Sequence, residues 1–283
     1  LLPIENDSDM HDIPDWLWPK WKATLGRKAK DVANSLKERA NIFLRVNITK
    51  CARKDAIQAL QKDGITSKLH PTVSTALIVD EKTRNIKNSE AYNLGLVELQ
   101  DASSQASVLQ LSTSQIGPIL DYCSGGGGKA LALNAYLKKP IFAYDANFFR
   151  MKDLPKRASR SGADIRIIKS NDLKNCYYGL VFCDVPCSGS GTWRRDPEGK
   201  WSITLQNFQK LLSLQKNILT NAAQLVKANG RLVYATCSVI NDENKIQIQK
   251  FLANSNEWVF EKEKLFMPNE LGDGFYFASL KKK

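Results

Sequence analysis

The chain has 283 residues, with 41 Lys and Arg against 29 Asp and Glu, giving a formal net charge of +12. Its 43% hydrophobic and 25% charged composition belongs to a globular chain that buries its own core, not to a disordered or collagenous one. No apolar run approaches the roughly 18 residues of a membrane-crossing helix, which excludes a spanning helical protein.

The start, Leu1–Met10, is acidic and lacks the basic segment of a secretory signal. With no initiating Met, the chain is expected to begin inside a longer gene product. The first forty residues read as helix. A Pro14-Asp15 turn precedes Trp16, Trp18 and Trp21, and a second helical pattern follows with Val32, Leu36 and Ala40 on one face. Aromatics at this spacing point to core or docking surface. Residues 41–80 change period: Asn41–Ile48 alternates like a strand, Arg53–Lys62 is a short amphipathic helix, and Leu77–Asp80 is a strand again. We expect an N-terminal helical linker plus a small α+β unit over residues 1–92, with Arg45, Lys50, Arg53 and Lys54 on a solvated face. From about Gly95 the pattern becomes α/β. Strand-like runs at Ile119-Leu120, Ile141–Tyr144, Ile165–Ile168, Leu180–Cys183 and Arg231–Ala235 alternate with helical stretches, notably Leu205–Lys227. That alternation implies a Rossmann-like, doubly wound and mostly parallel sheet over residues 93–283. The terminal Lys281–Lys283 run reads as a solvated tail.

The excess positive charge favours a polyanionic partner. It is spread over both parts, with 16 basic and 12 acidic residues in 1–90 and 25 and 17 in 91–283. Both parts can therefore face one phosphate backbone. The six cysteines, Cys51, Cys123, Cys176, Cys183, Cys187 and Cys237, include no Cys-x-x-Cys pair and stand far from both histidines. No metal site is expected, and free thiols in a reducing cytoplasm are the natural reading.

In an open parallel sheet, ligands sit at the carboxyl ends of the strands. Three motifs at such ends carry the informative residues. The first is Asp121-Tyr122-Cys123-Ser124-Gly125-Gly126-Gly127-Gly128-Lys129, a glycine turn opening a helix, where backbone N–H groups can meet a ligand. It is no P-loop, because Ala130 follows the lysine. Asp145 ends the next apolar run, where an acid takes ribose hydroxyls in doubly wound folds, and Asp172 follows the run after that, placed to line an adenine pocket. The third end is Asp184-Val185-Pro186-Cys187-Ser188-Gly189-Ser190-Gly191, followed by Arg194-Arg195-Asp196-Pro197. A further strand delivers Thr236-Cys237-Ser238, with Glu243-Asn244 shortly after. Two cysteines at two strand ends, beside an acid, are poorly explained by packing alone.

In order and spacing these motifs resemble the RsmB/Sun-type RNA (cytosine-5)-methyltransferases. The likeness extends to Gln100–Gln105 and Asp273–Ala278, and more loosely to Arg45-Val46-Asn47 and Pro14–Leu17. It implies a class I methyltransferase fold dependent on S-adenosylmethionine, a small RNA-recognition-like unit ahead of it, and an RNA partner, ribosomal in preference to transfer RNA. No membrane partner is implied, and oligomeric state is left open. The resemblance assigns Cys237 as the nucleophile, Cys187 to release of the product, and Asp184 to the cytosine edge, with Lys129 beside it. It carries the cofactor pocket onto Cys123, Ser124, Gly125, Gly126, Gly127, Gly128, Lys129, Asp145, Asp172 and Asp184. Arg194 and Arg195 are candidates for flanking phosphates or bases.

One departure stands out. The family usually has Ala-Ala-Pro where this chain has Ser124-Gly125-Gly126, and Thr or Ser where it has Ala130. A looser turn is expected to cost up to ~1 kcal/mol of ordering on cofactor binding. Three rivals are a non-catalytic RNA-binding or assembly factor on the same scaffold, a DNA cytosine methyltransferase acting through Cys187, and an amino-group methyltransferase. The paired thiols speak against the first, the extra thiol at Cys237 against the second, and the Asp-Val-Pro-Cys loop against the third.

Overall fold

The computed structural model describes residues 7–80, 85–114 and 117–283. Residues 1–6 of the acidic start and 81–84 of the expected N-terminal unit lie outside them. The strands are β1 Ile42–Val46, β2 Ser67–Leu69, β3 Ala76–Val79, β4 Val97–Leu99, β5 Ile119–Asp121, β6 Ile141–Ala143, β7 Ile165–Ile167, β8 Tyr178–Asp184, β9 Val226–Thr236, β10 Trp258–Phe266 and β11 Phe275–Lys282. They form a four-stranded sheet in the order β2-β3-β1-β4 and a seven-stranded sheet in the order β10-β11-β9-β8-β5-β6-β7.

In the large sheet, the pairs from β7 through β9 are parallel and β11 runs antiparallel to both β9 and β10. Side chains alternate across it as the pleat requires. Ile119, Leu180, Phe182, Val233 and Ala235 pack on one face with Leu131 and Leu154. Leu120, Val181, Cys183, Leu232 and Tyr234 pack on the other with Leu219 and Ile248. From β5 the chain winds outward through β6 and β7, and from β8 outward through β9, so the direction reverses between β5 and β8. A crevice opens above their carboxyl ends at such a switch point. Among the described residues, no helix is long and apolar enough to cross a membrane.

The structure revises four expectations. The small sheet extends past residue 92, because β4 pairs antiparallel with β1 through Leu44↔Leu99 to Val46↔Val97. Arg45 is buried rather than solvated, and its guanidinium donates to the Gly128 carbonyl at 2.8 Å, which docks the small sheet on the glycine turn. Burial lowers its pKa to about 10. The N-terminal helices are not a linker: Trp18, Trp21, Leu25 and Val32 form a core with Trp193, Phe208, Val239 and Ile240. Trp21 stacks on Trp193 with ring centroids 5.8 Å apart. Finally, Lys281 and Lys282 are no free tail but the last residues of β11, with Lys282 Nζ donating to Val226 O.

Candidate active site

The glycine turn leaves β5 and enters the helix Gly128–Leu137. Gly127 sits at φ +81°, and a Cβ there would lie 2.1 Å from Leu154 Cδ1, so glycine is required on both counts. Ser124 N donates to Tyr144 O and Gly127 N to Ser124 O. Asp145, buried at the end of β6, accepts Gly125 N at 2.9 Å and Asn147 N at 2.9 Å, with Arg150 3.4 Å away. Arg157 caps the turn from outside by donating to Gly126 O, and ion-pairs with Glu98 of β4. The turn is thus fixed by long side chains reaching in from neighbouring elements. Burial, and after it the charges of Asp121, Asp145 and Asp184, push the Cys123 thiol far above the usual range.

Across the switch point, the loops after β8 and β9 bring the two motif cysteines together. Cys187 Sγ and Cys237 Sγ lie 3.3 Å apart, both as free thiols and both partly exposed. A dense polar lattice holds the loops. Gly191 N donates to Cys237 O, and Gly274 N to Gly191 O. A Cβ at Gly191 would stand 2.4 Å from Gly274 O, so this approach also demands glycine. Ser190 Oγ meets Ser238 Oγ at 2.8 Å and accepts Val239 N. Asn244 accepts Thr236 Oγ1 at 2.6 Å and donates to Ser238 O at 2.8 Å. Such a satisfied network fixes one loop geometry.

Asp184 and Lys129 join the two halves. Lys129 Nζ lies 2.9 Å from Asp184 Oδ2, donates to Ser104 Oγ at 2.6 Å and stands 4.3 Å over the Phe275 ring. The lysine is buried, whereas the Asp184 side chain stays 30% exposed and open to a ligand. Beneath them Asp121 is wholly buried, and burial raises its carboxyl pKa to about 7. Ser124 and the Ala130 amide lie near enough to moderate that rise, but neither carboxyl oxygen closes a regular hydrogen bond.

Two expected residues sit differently. Arg194 is no phosphate ligand here: its side chain is 2% exposed and bonds Asp273 Oδ1 at 2.6 Å and Asn269 O at 2.9 Å. Arg195 also pairs with Asp273 and Asp101, but keeps 37% of its side chain exposed. It lines a cleft of about 830 Å³ with Phe43, Leu99, Gln100 and Thr192, between the small sheet and the loop after β8. Asp172 is exposed, and its carboxylate accepts the amide of Lys169 in its own turn. Sequence reasoning passed over Ser104, Asp121, Arg157, Gln215 and Glu243 as site residues. Gln215 carried a signal, a polar residue among the buried positions Phe208, Leu219 and Ala222 of one helix.

The family described as 16S rRNA methyltransferase RsmB/F matches residues 106–281, and the ferredoxin-like domain of RsmF/B-like methyltransferases matches residues 13–86. The ribosomal RNA small subunit methyltransferase B of Proteus mirabilis is 28% identical over 289 residues, covering 99% of this chain and 68% of that protein. The chain spans about two thirds of the length of such curated relatives. Among solved structures, PH0851 superposes with a TM-score of 0.90 at 27% identity, over 100% of this chain and 70% of that one. NSun6 from Pyrococcus horikoshii, solved with SFG, gives 0.81 at 18% identity over 96% and 99% of the two chains, a likeness of fold. With the family match covering more than half of its length, this chain belongs to the RsmB/F family of S-adenosylmethionine-dependent RNA methyltransferases.

Proposed function

We propose that the chain methylates carbon-5 of a cytosine in RNA through a covalent adduct on Cys237, with small-subunit ribosomal RNA as the substrate class. The observation that carries this is the 3.3 Å approach of two free thiols beside Asp184. A scaffold that only binds RNA needs no such pair. The names of the curated relatives support the ribosomal substrate.

The glycine turn fits the cofactor. It presents backbone N–H groups at a helix N-terminus, with the Asp145 carboxylate at the adjoining strand end and Asp184 opposite. Cys123, Ser124, Gly125, Gly126, Gly127 and Gly128 would hold the cofactor there, with Asp145 at its ribose and Asp172 on the outer rim. S-adenosylmethionine, when bound, supplies a methyl group on a sulfonium, and hence an electrophile. Carbon-5 of cytosine is too weak a nucleophile to take it unaided. The Cys237 thiolate would add to carbon-6, pushing an electron pair toward carbon-5 and making it nucleophilic enough for the methyl group the cofactor would supply. Asp184, held by Lys129, bonds the base edge near N3 and N4 and favours the electron-rich adduct. A base then takes the carbon-5 proton, the carbon-6–sulfur bond breaks, and Cys237 leaves as thiolate. Cys187 is that base. The target cytosine must be unstacked to present carbon-6. The cleft beside Arg195 offers a route for the flanking strand. A reducing cytoplasm, which keeps both thiols free, suits this chemistry.

The two thiols are separable by experiment. Cys237→Ala abolishes methyl transfer and leaves no adduct. Cys187→Ala still attacks but stalls at release, leaving protein covalently joined to RNA on a denaturing gel. The reverse pattern exchanges the roles. Bisulfite mapping of ribosomal and transfer RNA, with and without the gene, identifies the substrate, and a site in transfer RNA alone overturns the ribosomal assignment.

A further inference from the structure

The two sulfurs face each other as well as the site. Cys187 Sγ and Cys237 Sγ stand 3.3 Å apart as free thiols, and both residues are partly exposed. A disulfide needs about 2.05 Å between its sulfurs, so a movement of roughly 0.6 Å by each would close one. The residues on either side of both cysteines are pinned. Gln215 Nε2 donates to Pro186 O at 3.0 Å, and Ser188 N donates to the wholly buried Glu243 at 2.8 Å. Asn244 binds Thr236 Oγ1 at 2.6 Å and Ser238 O at 2.8 Å, and Cys237 O accepts Gly191 N at 2.9 Å. The contact is therefore built into the loops. Methyl transfer does not call for it, since that reaction needs each sulfur against a pyrimidine ring and not against the other sulfur. Among the described residues, no other two thiols are in such contact.

We propose that this pair is a site of reversible oxidation, at which a peroxide joins Cys187 to Cys237 and switches methyl transfer off until a thiol reductant reopens the bond. Formation of the bond is independent of the reaction proposed above, whereas the switching rests on the roles given there to the two thiols.

The step balances without a further reactant. One sulfur, as thiolate, attacks a peroxide oxygen; the O–O bond breaks and the departing hydroxide takes up a proton as water. That sulfur is left as a sulfenic acid. The second sulfur, already in contact, attacks it, the S–O bond breaks and a second water leaves. Two electrons pass from the sulfurs to the peroxide, both thiol protons end in water, and either cysteine can begin. Because the partner is held in place, closure outruns the further oxidation to sulfinic acid that thiol reductants do not reverse. The disulfide removes the nucleophile and the base together. A reductant thiolate then attacks one of the joined sulfurs, and a second thiolate resolves the mixed disulfide, freeing both cysteines. Exposed disulfides that open in this way are the ones that serve as switches in reducing compartments.

The test is treatment of the full chain with hydrogen peroxide, without RNA or cofactor, read by peptide mass under non-reducing conditions and by iodoacetamide labelling before and after dithiothreitol. In the native protein a linked Cys187–Cys237 peptide appears, two hydrogens lighter than its parts, and both cysteines lose their labelling. Methyl transfer assayed afterwards is lost with it, and dithiothreitol restores all three. Exposed Cys176, whose sulfur meets only the Gln224 carbonyl, reports that the peroxide dose suffices. Oxidised Cys176 with no linked peptide overturns the proposal, as does a bond from either cysteine to another partner. Undiminished methyl transfer by the linked form overturns the switch. In Cys187→Ala, Cys237 has no thiol to close on, so excess peroxide carries it to sulfinic acid and its labelling does not return with dithiothreitol. Recovery equal to that of the native protein overturns the pairing. The linked peptide and the labelling require no methyl transfer, so their failure is distinct from failure of the gel assay that decides the cysteine roles.

Discussion

The glycine turn and the cysteine loops face one another across the switch point, yet they are held in opposite ways. The turn departs from the family pattern, and two long side chains fix it from outside, Arg157 on Gly126 O and Arg45 on Gly128 O, beside the buried Asp145 on Gly125 N. The cysteine loops keep the motif residues, and short buried groups hold them from within: Ser190, Ser238, Thr236 and Asn244. A displacement of the attacking sulfur by an ångström costs about a hundredfold in rate, whereas a looser turn costs ordering energy alone. The demanding half is therefore the one built from short, satisfied, internal bonds. Changes at the turn should tune affinity, and changes at the cysteine loops should strike chemistry.

Lys129 is the sharpest way to break that division, because it lies in the first turn of the helix after the glycines and its side chain ends on Asp184 of β8. Lys129→Met keeps the buried stem and removes the charge. Asp184 then loses its ion-pair partner and swings free of the base edge. We expect kcat to fall about a hundredfold or more, with the cofactor Kd changed far less. An equal rise in cofactor Kd at unchanged kcat would assign Lys129 to the turn and dissolve the distinction between the two halves.

Asp121 sharpens the comparison through pH, since it lies beneath both halves. Its folded carboxyl titrates near 7, against an ordinary carboxylate near 3.8 when unfolded. Between these values the folded chain holds a proton that the unfolded chain lacks, so this group's contribution to stability falls as pH rises through the window and levels off above it. From pH 5 to 7 the loss amounts to about 2 kcal/mol. Asp121→Asn removes that slope. Urea unfolding of both proteins across pH should show the variant gaining on the native chain by that amount. Parallel curves would mean that the carboxyl is already ionised at pH 5.

What the sequence disclosed follows the same division between local and distant causes. The inner strands β5, β6, β8 and β9 are legible because each is a run of buried apolar residues ending in a motif. The helix Arg53–Lys62 stands where its amphipathic spacing places it. β10 escaped because its middle, from Val259 to Lys264, is exposed and charged, so it lacks a buried stripe to read. β4 escaped because three residues make no period. At the site, cysteines and glycines announce themselves by type and spacing. Glu243 and Asp121 stand inside the same motifs, but their importance lies in burial, which spacing does not encode. Arg194 misled for the converse reason: an arginine beside a catalytic loop reads as a phosphate ligand until Asp273, far along the chain, is seen to claim it.

The smallest expected effect tests whether the turn is held from outside. The missing proline at Gly126 leaves a backbone that must be ordered on binding, and the Arg157 guanidinium, anchored by Glu98 of the small sheet, takes over that restraint. Arg157→Ala frees the Gly126 carbonyl without touching the sulfurs. The cofactor Kd should rise about fivefold, the equivalent of ~1 kcal/mol, with kcat at saturation unchanged. Calorimetric titration of S-adenosylmethionine reads the first quantity and initial rates read the second. Glu98→Gln, which loosens the anchor while leaving Arg157 in place, should give a smaller rise in the same direction, because the guanidinium then samples other orientations. If neither substitution moves Kd, the glycines are ordered by the Arg45, Asp145 and Tyr144 bonds, and the Arg157–Glu98 pair has no hold on the cofactor turn.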